Sequence, residues 1–403
     1  MLGKPARNFD DSNIFDVAGN QLQLIYRAAQ RLEALLGLIN GAQHSLKLYY
    51  YMFEEDDIGD LVRDCLVAAM ERGVEAQLMV DSFGSNGASK EFFEVFRKAG
   101  GKFAIFSPRF STSYFVRNHQ KMAIADDCKA IIGGFNIADQ YFDKHPDDKH
   151  EDHNENGWLD IGLIIEGPGV KKLTEYYLSL SQWVHDENGN MRMLRKLVRS
   201  WQSREGQNRD RFRLLIGGPS NRLSHWAWSI KKDLEAGSQL DLVMAYFSPG
   251  QGLLRRIAAL SKRGGSSRLL LAGKTDNGAT IGASRSLYGY LLKRRAQIFE
   301  YQPKRLHAKM IVVDNAVYLG SANFDLRSLF INVEIMIRIE DAHFAEHARC
   351  MARELREQST EITPLLHKSR KTLLNRARWA LSYLVVNLVD YSVTRRFNFG
   401  LKK

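Results

Sequence analysis

Cysteine is scarce in this chain: Cys65, Cys128 and Cys350 are the only three in 403 residues, and they lie far apart. An odd, scattered set supplies neither a disulfide framework nor a metal-ligand spacing, and it fits a reducing compartment. Proline is scarce as well, with eight residues beside 31 glycines, which excludes collagen-like and low-complexity chains. No apolar run approaches the roughly 20 residues of a membrane-spanning helix. The nearest is Trp379–Val389, broken by Ser382 and Asn387. The opening residues, MLGKPARNFDDSNIFDVAG, lack the apolar stretch of about 7–15 residues that a secretory leader carries. A soluble or peripheral, intracellular protein is expected.

Acidic residues are in deficit, 46 against 57 Lys and Arg, for a net charge of +11. The basic excess is uneven. Residues 192–213 hold eight Lys/Arg against Glu205 and Asp210, and residues 367–403 hold nine against Asp390 alone. Such a balance expects an anionic partner, either nucleic acid or an anionic membrane surface, although a basic run also serves solubility alone. The rest of the composition, 44% hydrophobic and 26% charged, is that of a globular protein. At about 150 residues per domain, the length suits two or three domains.

What is present is an internal repeat. His119, Lys121 and Asp126 form the pattern H-x-K-x4-D, and His307, Lys309 and Asp314 form it again 188 residues later. Each copy runs into a turn of small residues ending in asparagine, Gly133 to Asn136 and Gly320 to Asn323. Upstream, the alternating segments Ser45–Phe53 and Leu240–Phe247 read as buried strands. Each is followed by helical periodicity, a glycine stop (Gly73, Gly264) and another short apolar strand. Strands alternating with helices predict two pseudo-repeated α/β domains, about 20–205 and 206–365, followed by a basic, apolar tail at 366–403. The polar stretch Ser200–Asp210 is the expected boundary.

On a strand, residues i and i+2 share a face, so the His and Lys of each copy project together. Ala123 and Ala125, or Ile311 and Val313, would occupy that face without filling it. If the halves pack face to face, two His, two Lys and two Asn (Asn136, Asn323) converge on one site. Two ammonium groups and two amides suit a phosphate oxyanion. Two imidazoles suit displacement at phosphorus, one attacking and one protonating the leaving oxygen, with no divalent metal required. The residues alone do not say which histidine does which.

The paired H-x-K-x4-D motifs with their asparagine turns resemble the phospholipase D superfamily over about residues 40–365. Further features are similar to its bacterial cardiolipin synthase branch: Tyr50 to Phe53 with Glu55 to Gly59, Gly73-Val74, Gly133 to Tyr141, Trp158 to Asp160, Glu166 to Pro168, and Ser321 to Ser328. The resemblance implies two α/β sandwich domains with one shared active site at their interface. It implies His119 as nucleophile, forming a phosphohistidine, and His307 as general acid and then base. Lys121, Lys309, Asn136 and Asn323 would bind the phosphate oxygens. Glu334 would orient His119, and Asp160 would orient His307. Asp126 and Asp314 complete the catalytic motifs and are expected to hold the two motifs together rather than take protons. No cofactor or metal is implied.

The implied substrates are anionic phospholipids, phosphatidylglycerol first, with phosphatidyl transfer to a second phosphatidylglycerol and release of glycerol. Hydrolysis of phospholipids and cleavage of nucleic acid by the same site are the alternatives; a non-catalytic lipid-binding protein is disfavoured by two intact motifs. The tail weighs against nucleic acid. Leu374, Ala377, Leu381, Leu384, Val385 and Leu388 recur at helical spacing beside Trp379 and Tyr383, with Arg376, Arg378, Arg395 and Arg396 around them. Residues 371–397 thus suit a helix lying on an anionic bilayer, as on the cytoplasmic face of the bacterial inner membrane. The competing reading is a helix docked on the protein's own core. Between Tyr141 and Trp158, His145, His150 and His153 stand among acids; Pro146 and the absence of H-E-x-x-H favour a solvated rim loop over a metal site.

Overall fold

The computed structural model describes residues 9–107, 116–142, 157–186, 190–206, 210–220, 222–275 and 277–389. Two eight-stranded mixed sheets organise the chain. In the first, Ser45–Tyr50, Glu75–Asp81 and Lys102–Phe106 run parallel. Lys121–Ala125, Lys129–Gly133 and Gly162–Glu166 extend it antiparallel on the other side, with Asn20–Ile25 and Ile14–Val17 at its edge. The second sheet repeats this plan. Gln239–Met244, Ser266–Ala272 and Gln297–Tyr301 are parallel, and Lys309–Val313, Ala316–Gly320 and Glu334–Glu340 follow antiparallel. The expected α/β pseudo-repeat is therefore the architecture.

Parallel neighbours require crossovers, and helices supply them. Asp57–Glu71 and Lys90–Lys98 serve the first sheet, starting at side-chain caps: Asp56 accepts from the Gly59 N–H and Ser89 from the Phe92 N–H. Gln251–Lys262 and Gly278–Leu292 serve the second. Helices Pro168–His185 and Ala342–Glu357 lie between the two sheets, where Tyr176, Tyr177, Leu180, Phe344 and Met351 form one continuous core with Met310, Val312, Met122 and Ile124.

The opposite faces are covered too. Ile311 and Val313 pack under the second half's outer helices, and Ala123 and Ala125 under the first half's, all buried. This corrects the expectation that the Lys-bearing face of each strand stays open. Sheets of this class are covered on both sides, so only strand ends are left to meet a ligand.

The tail also has a definite place. Helix Leu373–Leu384 packs along helix Gly278–Leu292. The approach is close at Gly282, where a β-carbon would stand 2.4 Å from Ser382 Oγ. Trp379 is buried and stacks on His367 at 5.8 Å. Beyond the helix, buried Asn387 accepts a 2.6 Å bond from Ser248. The predicted apolar stripe lies on the other side: Leu373, Leu374, Leu381, Leu384 and Val385 are exposed. The tail is thus docked on its own protein and still presents leucines outward. Helix Met191–Gly206 runs through most of the expected boundary stretch. Arg395 and Arg396 lie outside the described residues.

Asp126 and Asp314 sit in the tight turns after the motif strands, at φ +51° and +45°. The Asp126 carboxylate accepts the backbone N–H groups of Gln43, His44 and Ser45 at 2.8, 2.7 and 2.8 Å. Asp314 does the same for Gln239 at 2.9 Å and for Ser238 through N–H and hydroxyl. Each ties its turn to the start of the neighbouring strand in its own half. Removing either carboxylate strands several backbone donors at the surface-proximal end of the sheet. Asp126→Ala and Asp314→Ala are each expected to lower stability by about 1–3 kcal/mol, read by urea unfolding.

Candidate active site

The two halves meet through backbone. Asn118 pairs with Val333, and the His119 N–H donates to the Val333 carbonyl at 2.9 Å. In the other half Leu306 pairs with Leu159, and the His307 N–H donates to the Leu159 carbonyl at 2.8 Å. Val333 precedes Glu334 and Leu159 precedes Asp160. Each histidine segment is therefore laid against the segment that carries the other half's carboxylate.

Side chains follow that crossing. His307 Nδ1 lies 2.6 Å from Asp160 Oδ2. His119 Nδ1 lies 3.2 Å from the Ser321 carbonyl and 3.4 Å from Glu334 Oε2. These oxygens only accept, so a neutral ring donates to them through Nδ1. The ring centroids are 6.5 Å apart. Both carboxylates are fully buried. Glu334 also accepts from the hydroxyls of Ser321 and Ser328. Asp160 is accommodated by a missing side chain: a β-carbon on Gly134 would stand 2.3 Å from its Oδ1. Gly134 and Ser321 are equivalent turn positions, one making room for a carboxylate and the other donating to one.

Lys121 and Lys309 are both buried, and each donates to the carbonyl of the histidine two residues before it. Lys309 Nζ also stands 2.8 Å from His307 Nδ1. Asn136 donates to the Tyr141 hydroxyl at 2.9 Å and accepts from the Met52 N–H at 3.1 Å. Asn323 is buried, and its Oδ1 has no hydrogen-bond partner among the described residues. The site thus gathers His119, His307, Lys121, Lys309, Asp160 and Glu334, and leaves out Asp126 and Asp314. Those two lie at the far end of the same strands: Lys121 is opposite Tyr50, the last residue of Ser45–Tyr50, whereas Asp126 binds its first turn. The expectation that they hold the two motifs together is corrected, because all their partners are local.

Several contributors were not assigned from sequence. Tyr51 faces His119 at 4.9 Å, and Trp158, Tyr141 and Tyr246 surround His307 at 4.9, 5.3 and 6.4 Å. Arg31, fully buried on helix Ala28–Gly41, donates to the carbonyls of Asp160, Tyr141 and Trp158 at 2.8, 2.5 and 3.2 Å, and to that of Tyr26. A basic residue on an amphipathic helix carries no such signal in sequence. Asp81 accepts the Asn118 N–H at 2.8 Å, directly beside His119. The register puts Ala272 at the matching place in the second sheet, so this support is one-sided. Among the described residues no three His, Cys, Asp or Glu are grouped to hold a metal ion. His145, His150 and His153 lie outside the described residues.

Burial dominates the electrostatics. It pushes His119 down to about 4, helped by the Lys121 charge and opposed by Glu334. It pushes His307 down to about 3, helped by Lys309 and opposed by Asp160. Burial likewise drives Lys121 well below the ordinary lysine range, and the Lys309 charge adds to it. For the carboxylates burial acts upward, yet Lys309 and His307 hold Asp160 below its usual range, and His119 and Lys121 do so for Glu334. Two ionised carboxylates, two protonated lysines and two neutral imidazoles sum to zero, so an incoming anion is balanced only when a basic group takes up a proton. An anion between the lysines would raise the affinity of every basic group for its proton.

Both imidazoles are expected to stay neutral down to about pH 5, read by NMR titration of the ring signals. The sign for stability follows. The depressed histidines are neutral in the fold while the unfolded chain takes up protons below its value of 6.5, so stability falls from there toward about 4. Arg31→Met leaves four carbonyls without their donor and is expected to lose about 3 kcal/mol or more in urea unfolding.

The family described as "Cardiolipin synthase, PLD-like domain" matches twice, at residues 35–158 and 232–356. The chain is 28% identical over 337 residues to "Cardiolipin synthase B" of Escherichia coli K12, covering 82% of this chain and 79% of that protein. It is 29% identical over 344 residues to "Cardiolipin synthase" of Clostridium perfringens, covering 82% and 69%. Among solved structures, the phosphatidylserine synthase of Haemophilus influenzae superposes with a TM-score of 0.68 at 13% identity, covering 91% of this chain and 94% of that one, which speaks to the fold. With both motifs inside the matched ranges and more than half of its length matched, the chain belongs to the cardiolipin synthase, phospholipase D-like domain family.

Proposed function

We propose that this enzyme is a phosphatidyltransferase of the cardiolipin synthase type, acting through a phosphohistidine. The observation that carries the reading is the crossed pair: two imidazoles 6.5 Å apart, each with Nδ1 beside a buried carboxylate of the other half, and two buried lysines. In the first step His119 Nε2 attacks the phosphorus of phosphatidylglycerol. The P–O bond to glycerol breaks, and the leaving oxygen takes a proton from His307. In the second step His307, now neutral, takes a proton from a hydroxyl of a second phosphatidylglycerol. The hydroxyl oxygen attacks phosphorus, the P–N bond breaks, and cardiolipin leaves. The phosphodiester's own negative charge, arriving between Lys121 and Lys309, lets His307 take up a proton from solvent at Nε2 before the first step, and this is the proton that leaves with glycerol.

In this reading Lys121, Lys309, Asn136 and Asn323 hold the non-bridging oxygens, Glu334 orients His119 and Asp160 orients His307. Asp126 and Asp314 hold turns. The aromatic groups around both rings limit water, which a synthase needs if the second alcohol is to win over hydrolysis. The curated relatives named cardiolipin synthase support the lipid substrate. The halves 20–205 and 206–365 would act as the two lobes of the site. The tail, within 371–397, would lie on the cytoplasmic face of the bacterial inner membrane. No helix among the described residues is long and apolar enough to cross a membrane, and the outward leucines support surface association.

The test is product analysis by mass spectrometry with the full chain and vesicles of phosphatidylglycerol and phosphatidylethanolamine. Cardiolipin plus glycerol is expected, with no loss in EDTA. Phosphatidic acid alone would make the enzyme a hydrolase, and absence of lipid turnover would favour the nucleic-acid reading. His119→Ala and His307→Ala are each expected to lower turnover by about three orders of magnitude or more while retaining the folded spectrum.

A further inference from the structure

The tail's docking creates a second basic site. Where helix Leu373–Leu384 lies along helix Gly278–Leu292, two cavities open on either side of Trp379. One, of about 230 Å³, is lined by Arg285, Arg370, Arg378, Asn375 and Gln302. The other, of about 430 Å³, is lined by Arg285, Lys293, Arg294, His367 and Lys371. It continues through Lys293 and Arg294 into a shallow basin with Lys262 and Arg295. No Asp or Glu among the described residues lines any of the three.

The one carboxylate beneath them is already committed. Glu300 is fully buried and takes a two-pronged bond from Arg285, at 2.7 and 2.9 Å, and a third from Arg370 at 3.0 Å. Lys293, Arg294, Lys371 and Arg378 have no carboxylate partner among the described residues. Arg294 instead donates to the Tyr290 carbonyl and stacks over its ring. Beside this uncompensated charge stand the outward leucines, Leu373 and Leu374 at 82% and 79% exposure, then Leu381 and Leu384. Cations next to an apolar ridge match the two layers of an anionic bilayer surface, phosphates above and acyl chains below.

We propose that the seam between these two helices binds the phosphate headgroups of anionic bilayer lipids, at a site separate from the paired histidines. The proposal rests on the lipid reading of the active site and adds to it residues of helix Gly278–Leu292 and the Lys293–Arg295 corner, outside the tail. The seam also connects to the active site. Asn387, at the end of the tail, bonds Ser248, two residues from Tyr246 beside His307. A bilayer held at the seam therefore lies on the half that carries His307, near the wall of the cleft.

The test uses the full chain and a variant with Lys293→Glu, Arg294→Glu and Arg378→Glu, floated with vesicles of phosphatidylcholine with or without phosphatidylglycerol. Each surface cation contributes about a fivefold change in partitioning. The variant is expected to bind phosphatidylglycerol vesicles at least about tenfold more weakly. Its turnover of monomeric short-chain phosphatidylglycerol should stay within about twofold, since the substituted groups lie away from the histidines. Unchanged vesicle binding, or equal binding to pure phosphatidylcholine, overturns the proposal, as does wild-type capture of single-stranded oligonucleotide in preference to vesicles. Weakened binding in a protein whose wild type turns over no lipid leaves the seam standing and removes the transferase reading. A Leu374→Ser, Leu381→Ser variant keeps the cations. It should retain salt-sensitive binding at reduced strength, and full retention of wild-type binding would assign the contact to charge alone and overturn the place given to the leucine ridge.

Discussion

The site depends on one constraint, the crossed backbone pairing of Asn118 with Val333 and of Leu306 with Leu159. Each contact is a short piece of sheet between halves that otherwise form separate sheets. Because the paired residues stand directly before Glu334 and Asp160, two backbone contacts determine which carboxylate meets which ring. The resulting geometry is reciprocal: neither half contains a complete histidine–carboxylate pair. The helices packed between the sheets hold the crossing in place through one continuous apolar core.

Buried charge is what this crossing makes tolerable. Two lysines, two carboxylates and two imidazoles in a desolvated cleft would be unstable if any were left unmatched. Here the carboxylates are matched to the rings and to serine hydroxyls, and the lysines to backbone carbonyls. The halves solve the same problem differently. Gly134 gives Asp160 space, whereas Ser321 gives Glu334 a donor. Asp81 supports the His119 side, and Arg31 supports the carbonyls around Asp160. A symmetric repeat has thus become an asymmetric site, as two different roles for two histidines require.

The tail shows how one helix satisfies two demands. Its Trp379, Ser382 and Asn387 side closes onto the second half, and the leucine side faces out. Docking draws arginines of both helices and lysines at their ends, Lys293 and Lys371, into one seam, with Glu300 neutralising only part of their charge.

By itself the sequence determined the repeat, the fold class and four central side chains, His119, Lys121, His307 and Lys309, because H-x-K recurs at one offset on matching strands of a repeated strand-helix pattern. It also marked Asp160 and Glu334, through resemblance, and the leucine stripe, through its helical period. Tertiary structure alone decided the rest. Asp126 and Asp314 share the motif with the histidines, yet a strand carries residues seven apart to opposite ends of a sheet, so their carboxylates bind backbone of their own half. The motif face expected to be open is covered, since a mixed sheet buries both sides. Arg31, Asp81 and the basic seam arise between segments distant in the chain, and no local spacing records which side chains meet there.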